Sequence, residues 1–143
     1  MTVSERLLEI REYSGEGYRP LVDYGEWRVA ILRNEDELLP QNIREMQRHD
    51  ETDEVFVLLS GRCILFLGDG DEGVTAIHAQ DMQPLKLYNV KKACWHSHTL
   101  SEDASVLIVE NRDTTVDNSP RVGLTLAQRE RIGELTRGLW QGV

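Results

Sequence analysis

The sequence predicts an all-β barrel or sandwich with a short helix at each end. Three observations predict it. From Trp27 to Glu110 the chain is a series of short apolar runs separated by turn-forming residues, the spacing of a β-barrel or sandwich. Those runs are nearly continuous rather than alternating, which implies burial on both faces. Beyond Asn118-Ser119-Pro120 the pattern changes to helical spacing.

Each element has a local reason. Ser4 is placed to cap a helix over residues 5–12, with Leu7, Leu8 and Ile10 on its apolar side and Gly15 and Gly17 ending it. Residues 27–32 read as a strand, broken by Asn34-Glu35-Asp36-Glu37. Residues 54–59 and 63–67 form a strand pair around a tight turn at Ser60-Gly61. The stretch from Gly68 to Gly73 is a second turn, rich in residues that tolerate positive φ. Further strands are expected over 74–78, 85–90 and 105–110. Thr125 and Gln128 form a capping-box pattern opening a helix to about Trp140, with Ile132, Leu135 and Leu139 on one face. Gly133 and Gly138 each weaken that helix by roughly 1 kcal/mol relative to alanine, so packing must hold it.

At 143 residues the chain is read as one domain, 1–143, with a barrel core over about 25–112 and the closing helix over about 125–140. A formal charge of −9 disfavours nucleic acid and anionic membranes as partners. No apolar run approaches the ~20 residues that cross a bilayer, and Met1 to Arg6 does not open a signal peptide. Two cysteines, Cys63 and Cys94, make no disulfide framework and read as buried apolar fillers. A cytoplasmic protein is the expectation.

The chemistry concentrates in two stretches. In the first, His49, Glu54 and Gly61 flank an apolar strand; in the second, His96 and His98 follow Cys94 and Trp95. Imidazole and carboxylate are ligands for Zn, Fe, Mn, Ni or Cu. If the second stretch is a strand, Cys94, His96 and His98 share one face, and His98 lies about 7 Å along it from His96.

These residues resemble the two motifs of the cupins, and the chain is similar to small single-domain bacterial members of the RmlC-like cupin superfamily. The first motif runs His-x-His, three or four residues, Glu, six residues, Gly. His49 takes its second His, Glu54 its Glu and Gly61 its Gly, while Gln47 replaces the first His. The second motif runs Pro-x-Gly-x-x-His-x-x-x-Asn. His96 takes its His, while Lys91, Ala93 and Leu100 replace Pro, Gly and Asn. The resemblance covers about the middle half of the chain.

It implies a double-stranded β-helix, or jelly roll, that pairs as a homodimer. It also implies a divalent metal (Fe, Mn, Zn or Ni) on His49, Glu54 and His96, with Gln47 or His98 as fourth ligand. Gln47, Cys94, His98 and Phe56 are the expected pocket residues. The pocket would take a small oxygen-rich ligand, a sugar or keto acid, for isomerisation, epimerisation or decarboxylation. His98 is then the candidate acid–base residue, since its ordinary pKa of ~6.5 suits proton transfer near neutrality. The alternative is a non-catalytic binding module whose metal site has decayed.

Other candidates point elsewhere. His78 has no ligand partner in sequence and is read as a surface or core residue. Asp69, Asp71 and Glu72 lack the later Glu of a calcium loop and are read as a solvated turn. Trp95 is read as a packing aromatic. Cys94 as a nucleophile lacks an orienting third group.

Overall fold

The computed structural model describes residues 2–141. Ten strands form two five-stranded antiparallel sheets. The strands are β1 (Gly17–Tyr24), β2 (Trp27–Arg33), β3 (Glu45–Gln47), β4 (Glu54–Ser60), β5 (Cys63–Asp69), β6 (Ala76–Asp81), β7 (Tyr88–Val90), β8 (Trp95–Leu100), β9 (Ser105–Asn111) and β10 (Arg121–Gly123). One sheet has the order β1-β2-β9-β4-β7, the other β10-β3-β8-β5-β6. The chain closes with helix α1 (Leu126–Leu139). This is the jelly roll that the motif resemblance implies, and one form of the barrel or sandwich that the strand spacing predicts.

The main core lies between the sheets. Ala30, Leu32, Phe56, Leu58, Leu65, Leu100, Val106 and Ile108 fill it. A second core lies on the outer face of the β5-containing sheet, where Ile43, Met46, Ile64, Phe66 and Trp95 pack with Ile132 of α1. This explains the uneven patterning. β5 is apolar on both faces because Leu65 looks inward while Ile64 and Phe66 meet the helix side. β9 is as apolar in sequence, but its burial alternates: Val106 and Ile108 are buried inside, whereas Leu107 and Val109 are only partly covered on the outer face.

α1 is held from both ends. Thr125 Oγ1 accepts the Gln128 N–H, and Gln128 Oε1 accepts the Thr125 N–H in return. The Gln128 amide also donates to the Val74 carbonyl. Trp140 follows the last turn and donates from its indole to Asp81, with the Arg62 guanidinium over its ring. Ile132 is fully buried, whereas Leu139 is left 39% exposed, so the expected apolar stripe is shorter than its spacing implies.

The N-terminal helix is a correction. Ser4 caps a single turn: its carbonyl accepts the N–H groups of Leu7 and Leu8, and its hydroxyl that of Arg6. The chain then continues irregularly to Glu16. A helix this short needs an apolar face to bury, and Leu7, Leu8 and Ile10 stay exposed. The barrel also begins earlier than expected, at β1, and β3 and β10 are strands that three-residue runs do not announce. β6 starts later than expected. β7 is shorter, because Leu85 takes a φ of 67° in the turn before it. Among the described residues, no helix is long and apolar enough to cross a membrane.

Candidate metal centre

The pocket opens between the sheets. It is about 920 Å³ in volume, and its lining includes Gln47, His49, Glu54, His96, His98 and Glu110. Three hydrogen bonds place His49, which sits in the loop before β4. Arg48 N–H donates to the Pro120 carbonyl, Asp50 N–H to the Asn118 carbonyl, and the His49 carbonyl accepts Ala93 N–H at 2.8 Å. The last bond ties the two motif stretches together. Glu54 opens β4 and is buried. His96 lies on β8 opposite Gln47 of β3 and Leu67 of β5.

Two residues at the motif positions show why the backbone needs them. Gly61 has a φ of 71°, and a Cβ there would lie 2.5 Å from Ala104 Cα, so only glycine fits the turn. Ala93, where the cupin motif has Gly, also takes a left-handed φ, 63°. The turn geometry is kept although its usual residue is not, at a cost of roughly 1–2 kcal/mol.

His49 Nε2 lies 3.3 Å from Glu54 Oε1, and His96 Nε2 lies 3.0 Å from the same oxygen. All three atoms are buried within 4.8 Å of one another. None makes a hydrogen bond. The tautomers follow from the outer nitrogens. His96 Nδ1 is 2.9 Å from the Cys94 carbonyl, which only accepts, so Nδ1 carries the hydrogen. His49 Nδ1 is 2.7 Å from Ser119 Oγ. That hydroxyl donates to Asn118 Oδ1, which leaves it to accept from His49. Each imidazole in its neutral form therefore turns an Nε2 lone pair towards the carboxylate. Three lone-pair donors facing one another in a buried site need a cation or protons between them. The His-Glu-His cluster could hold a metal ion, and its donor chemistry fits one.

Protons can take the same place between these groups. Burial works to raise the Glu54 carboxyl, but the imidazoles of His49 and His96 outweigh it and hold it well below the usual carboxylate range. Burial works to lower His96, and Glu54 overrides it, so His96 is raised. His98, two residues on, is pushed down to about 4 by burial and by His96. It lines the pocket with its Nδ1 buried and unpartnered, and it is neutral at pH 7.

The remaining candidates fall as follows. Gln47 lines the pocket. Phe56 is fully buried with its ring 6.3 Å from His96 and 5.8 Å from His98, beneath the site rather than in its opening. Cys94 is not among the lining residues; its thiol donates to the Trp95 carbonyl. Trp95 packs in the outer core with Arg48 over its ring. His78 is an exposed partner of Asp69. No residue spacing singled out Tyr18, Arg28, Glu110 and Ser119. Glu110 Oε1 accepts from the Tyr18 hydroxyl at 2.5 Å and from Arg28 Nη2 at 2.8 Å. Glu110 is pushed up to about 6 by burial and by the charge of Glu54. Its only sequence signal was a charge inside an apolar strand.

Solved structures match this fold. Pac13 of Streptomyces, a nucleoside dehydratase whose variant was solved with uridine, matches over 81% of this chain and 86% of its own, with a TM-score of 0.55 and 11% identity. Oxalate decarboxylase of Bacillus subtilis matches over 83% of this chain and 31% of its own, with a TM-score of 0.51 and 17% identity. The fold is a cupin jelly roll. No protein-family model matches the chain, and no curated protein matches it by sequence.

Proposed function

We propose that this cupin is of the RmlC-like kind and binds one divalent metal ion through His49, Glu54 and His96, to hold a small oxygen-rich ligand in the pocket. The observation that carries the reading is the convergence of three buried, unpartnered donor atoms, with both histidine tautomers set from outside. The residues suit Fe, Mn, Zn or Ni. A metal ion there supplies a Lewis acid for a sugar or keto-acid oxygen, the requirement of isomerisation, epimerisation and decarboxylation.

The chain's own groups then have distinct roles. Ser119 and the Cys94 carbonyl hold the two imidazoles in place. Phe56 closes the site from below and keeps water from that side. His98, neutral at pH 7, is placed to hydrogen-bond a ligand. Its low pKa makes it a weaker base than a histidine at the ordinary value, so the proton-transfer role rests on position. That same depression favours a second reading, a binding module that holds its ligand without turnover.

Untagged protein, loaded with metal or stripped by chelator, is to be screened against small sugars and keto acids. Metal-dependent turnover supports the enzyme; ligand binding without turnover supports the module. No metal uptake by the stripped protein rejects the metal-binding reading and leaves only a module whose metal site has decayed. We also infer a cytoplasmic homodimer. Its support is the open edge of β1 beside the exposed Tyr24 and Trp27, and the two free cysteines. Sedimentation as a monomer at micromolar concentration would count against pairing.

A further inference from the structure

The motif resemblance leaves the fourth ligand position to Gln47 or His98. Glu110 meets the need better than either. It lies on β9, paired across the sheet with Arg28 of β2. Its side chain is 2% exposed. One carboxylate oxygen, Oε1, is fully engaged: Tyr18 Oη donates at 2.5 Å, Arg28 Nη2 at 2.8 Å and Arg28 Nε at 3.2 Å. Those bonds fix the plane of the group. The other oxygen, Oε2, is buried, has no hydrogen-bond partner, and lies 3.9 Å from His49 Nε2. It is a fourth orphaned donor, beside His49 and outside the 4.8 Å span that the other three share.

Arg28 already balances the Glu110 charge, so the case for Glu110 rests on the position of Oε2 and on its being a carboxylate oxygen, a stronger donor than the neutral amide of Gln47.

We propose that Glu110, through Oε2, is the fourth protein donor to the metal ion, giving a two-histidine, two-carboxylate site in place of the three-histidine set the cupin motif implies. This rests on the metal-binding reading above. Arg28 and Tyr18 are positioning residues: they hold Oε1 so that Oε2 faces the cluster.

The test is calorimetric titration of Mn(II) and Zn(II) into chelator-stripped wild type, Glu110→Gln, Glu110→Asp and Gln47→Ala. Glu110→Gln should bind about 10–100-fold more weakly, Glu110→Asp should also weaken although it keeps the charge, and Gln47→Ala should stay within about threefold of wild type. Equal affinity of Glu110→Gln and wild type would overturn the proposal while leaving the His-Glu-His site standing. No binding by wild type would overturn both. A crystal structure of metal-loaded wild type decides the matter independently of variant folding. Glu110 Oε2 at about 2.0–2.2 Å from the ion supports the assignment, and one beyond about 3.5 Å overturns it.

Discussion

Two walls of the same pocket hold buried charge in different ways. On one, Arg28 shares its guanidinium between Glu110 and the carbonyls of Arg112 and Thr114, and Tyr18 completes Oε1. On the other, His49, Glu54 and His96 direct buried donor atoms at each other. The first wall supplies most of its partners from within the chain. The second leaves the inward atoms unpartnered while carefully fixing the outward ones. A polypeptide that aligns two imidazoles from behind and leaves their front atoms facing a carboxylate presents a cluster that could hold a cation. Glu110 belongs to both walls, satisfied at one oxygen and open at the other.

Variants should separate the walls. The largest effect on the fold is expected at Arg28→Met, which strips a buried carboxylate of its cation. It should cost about 3 kcal/mol in a denaturant titration. An unchanged midpoint would show that the wall is not structurally needed.

The next effect is a pH dependence. His98 falls from 6.5 unfolded to about 4 folded. The folded state therefore binds fewer protons, so stability is complete above about 6.5 and falls as pH drops towards 4. The loss is about 3 kcal/mol. Histidine 96, raised by Glu54, contributes with the opposite sign, so the readout is the difference between stripped wild type and His98→Leu. The variant should lose stability less steeply between pH 6.5 and 4. Parallel curves would refute the assignment.

Ser119→Ala removes the acceptor that sets the His49 tautomer. It should weaken metal binding by about 10-fold or somewhat more while changing the melting temperature of the stripped protein little. Equal metal affinity would show that the loop holding Ser119 does not orient the site. Smallest is Ala93→Gly, which relieves a left-handed alanine. It should stabilise by up to about 1 kcal/mol, and a loss of stability would mean that the Ala93 methyl packs usefully.

The walls also differ in how far the sequence discloses them. The strand from Glu54 to Gly61 was legible because an apolar run ends in a glycine that the turn sterically requires. His96 was legible because its spacing from His98 places both on one strand face. The satisfied wall was not legible. Tyr18 lies in a strand that falls between the glycines ending the expected helix and the first expected strand. Arg28 and Glu110 meet only through strand pairing 82 residues apart, and Ser119 reaches His49 across 70. Local pattern carries no information about such pairings. The N-terminal helix failed for the complementary reason: residues 5–12 have helical spacing, but no surface covers their apolar side.

The most direct test of the central claim is anomalous diffraction from a crystal of untagged, metal-loaded protein. The account predicts one strong peak bounded by His49 Nε2, Glu54 Oε1 and His96 Nε2, at about 2.0–2.2 Å from each. A peak only at an exposed pair such as His78 and Asp69, or none at the cluster, would contradict it.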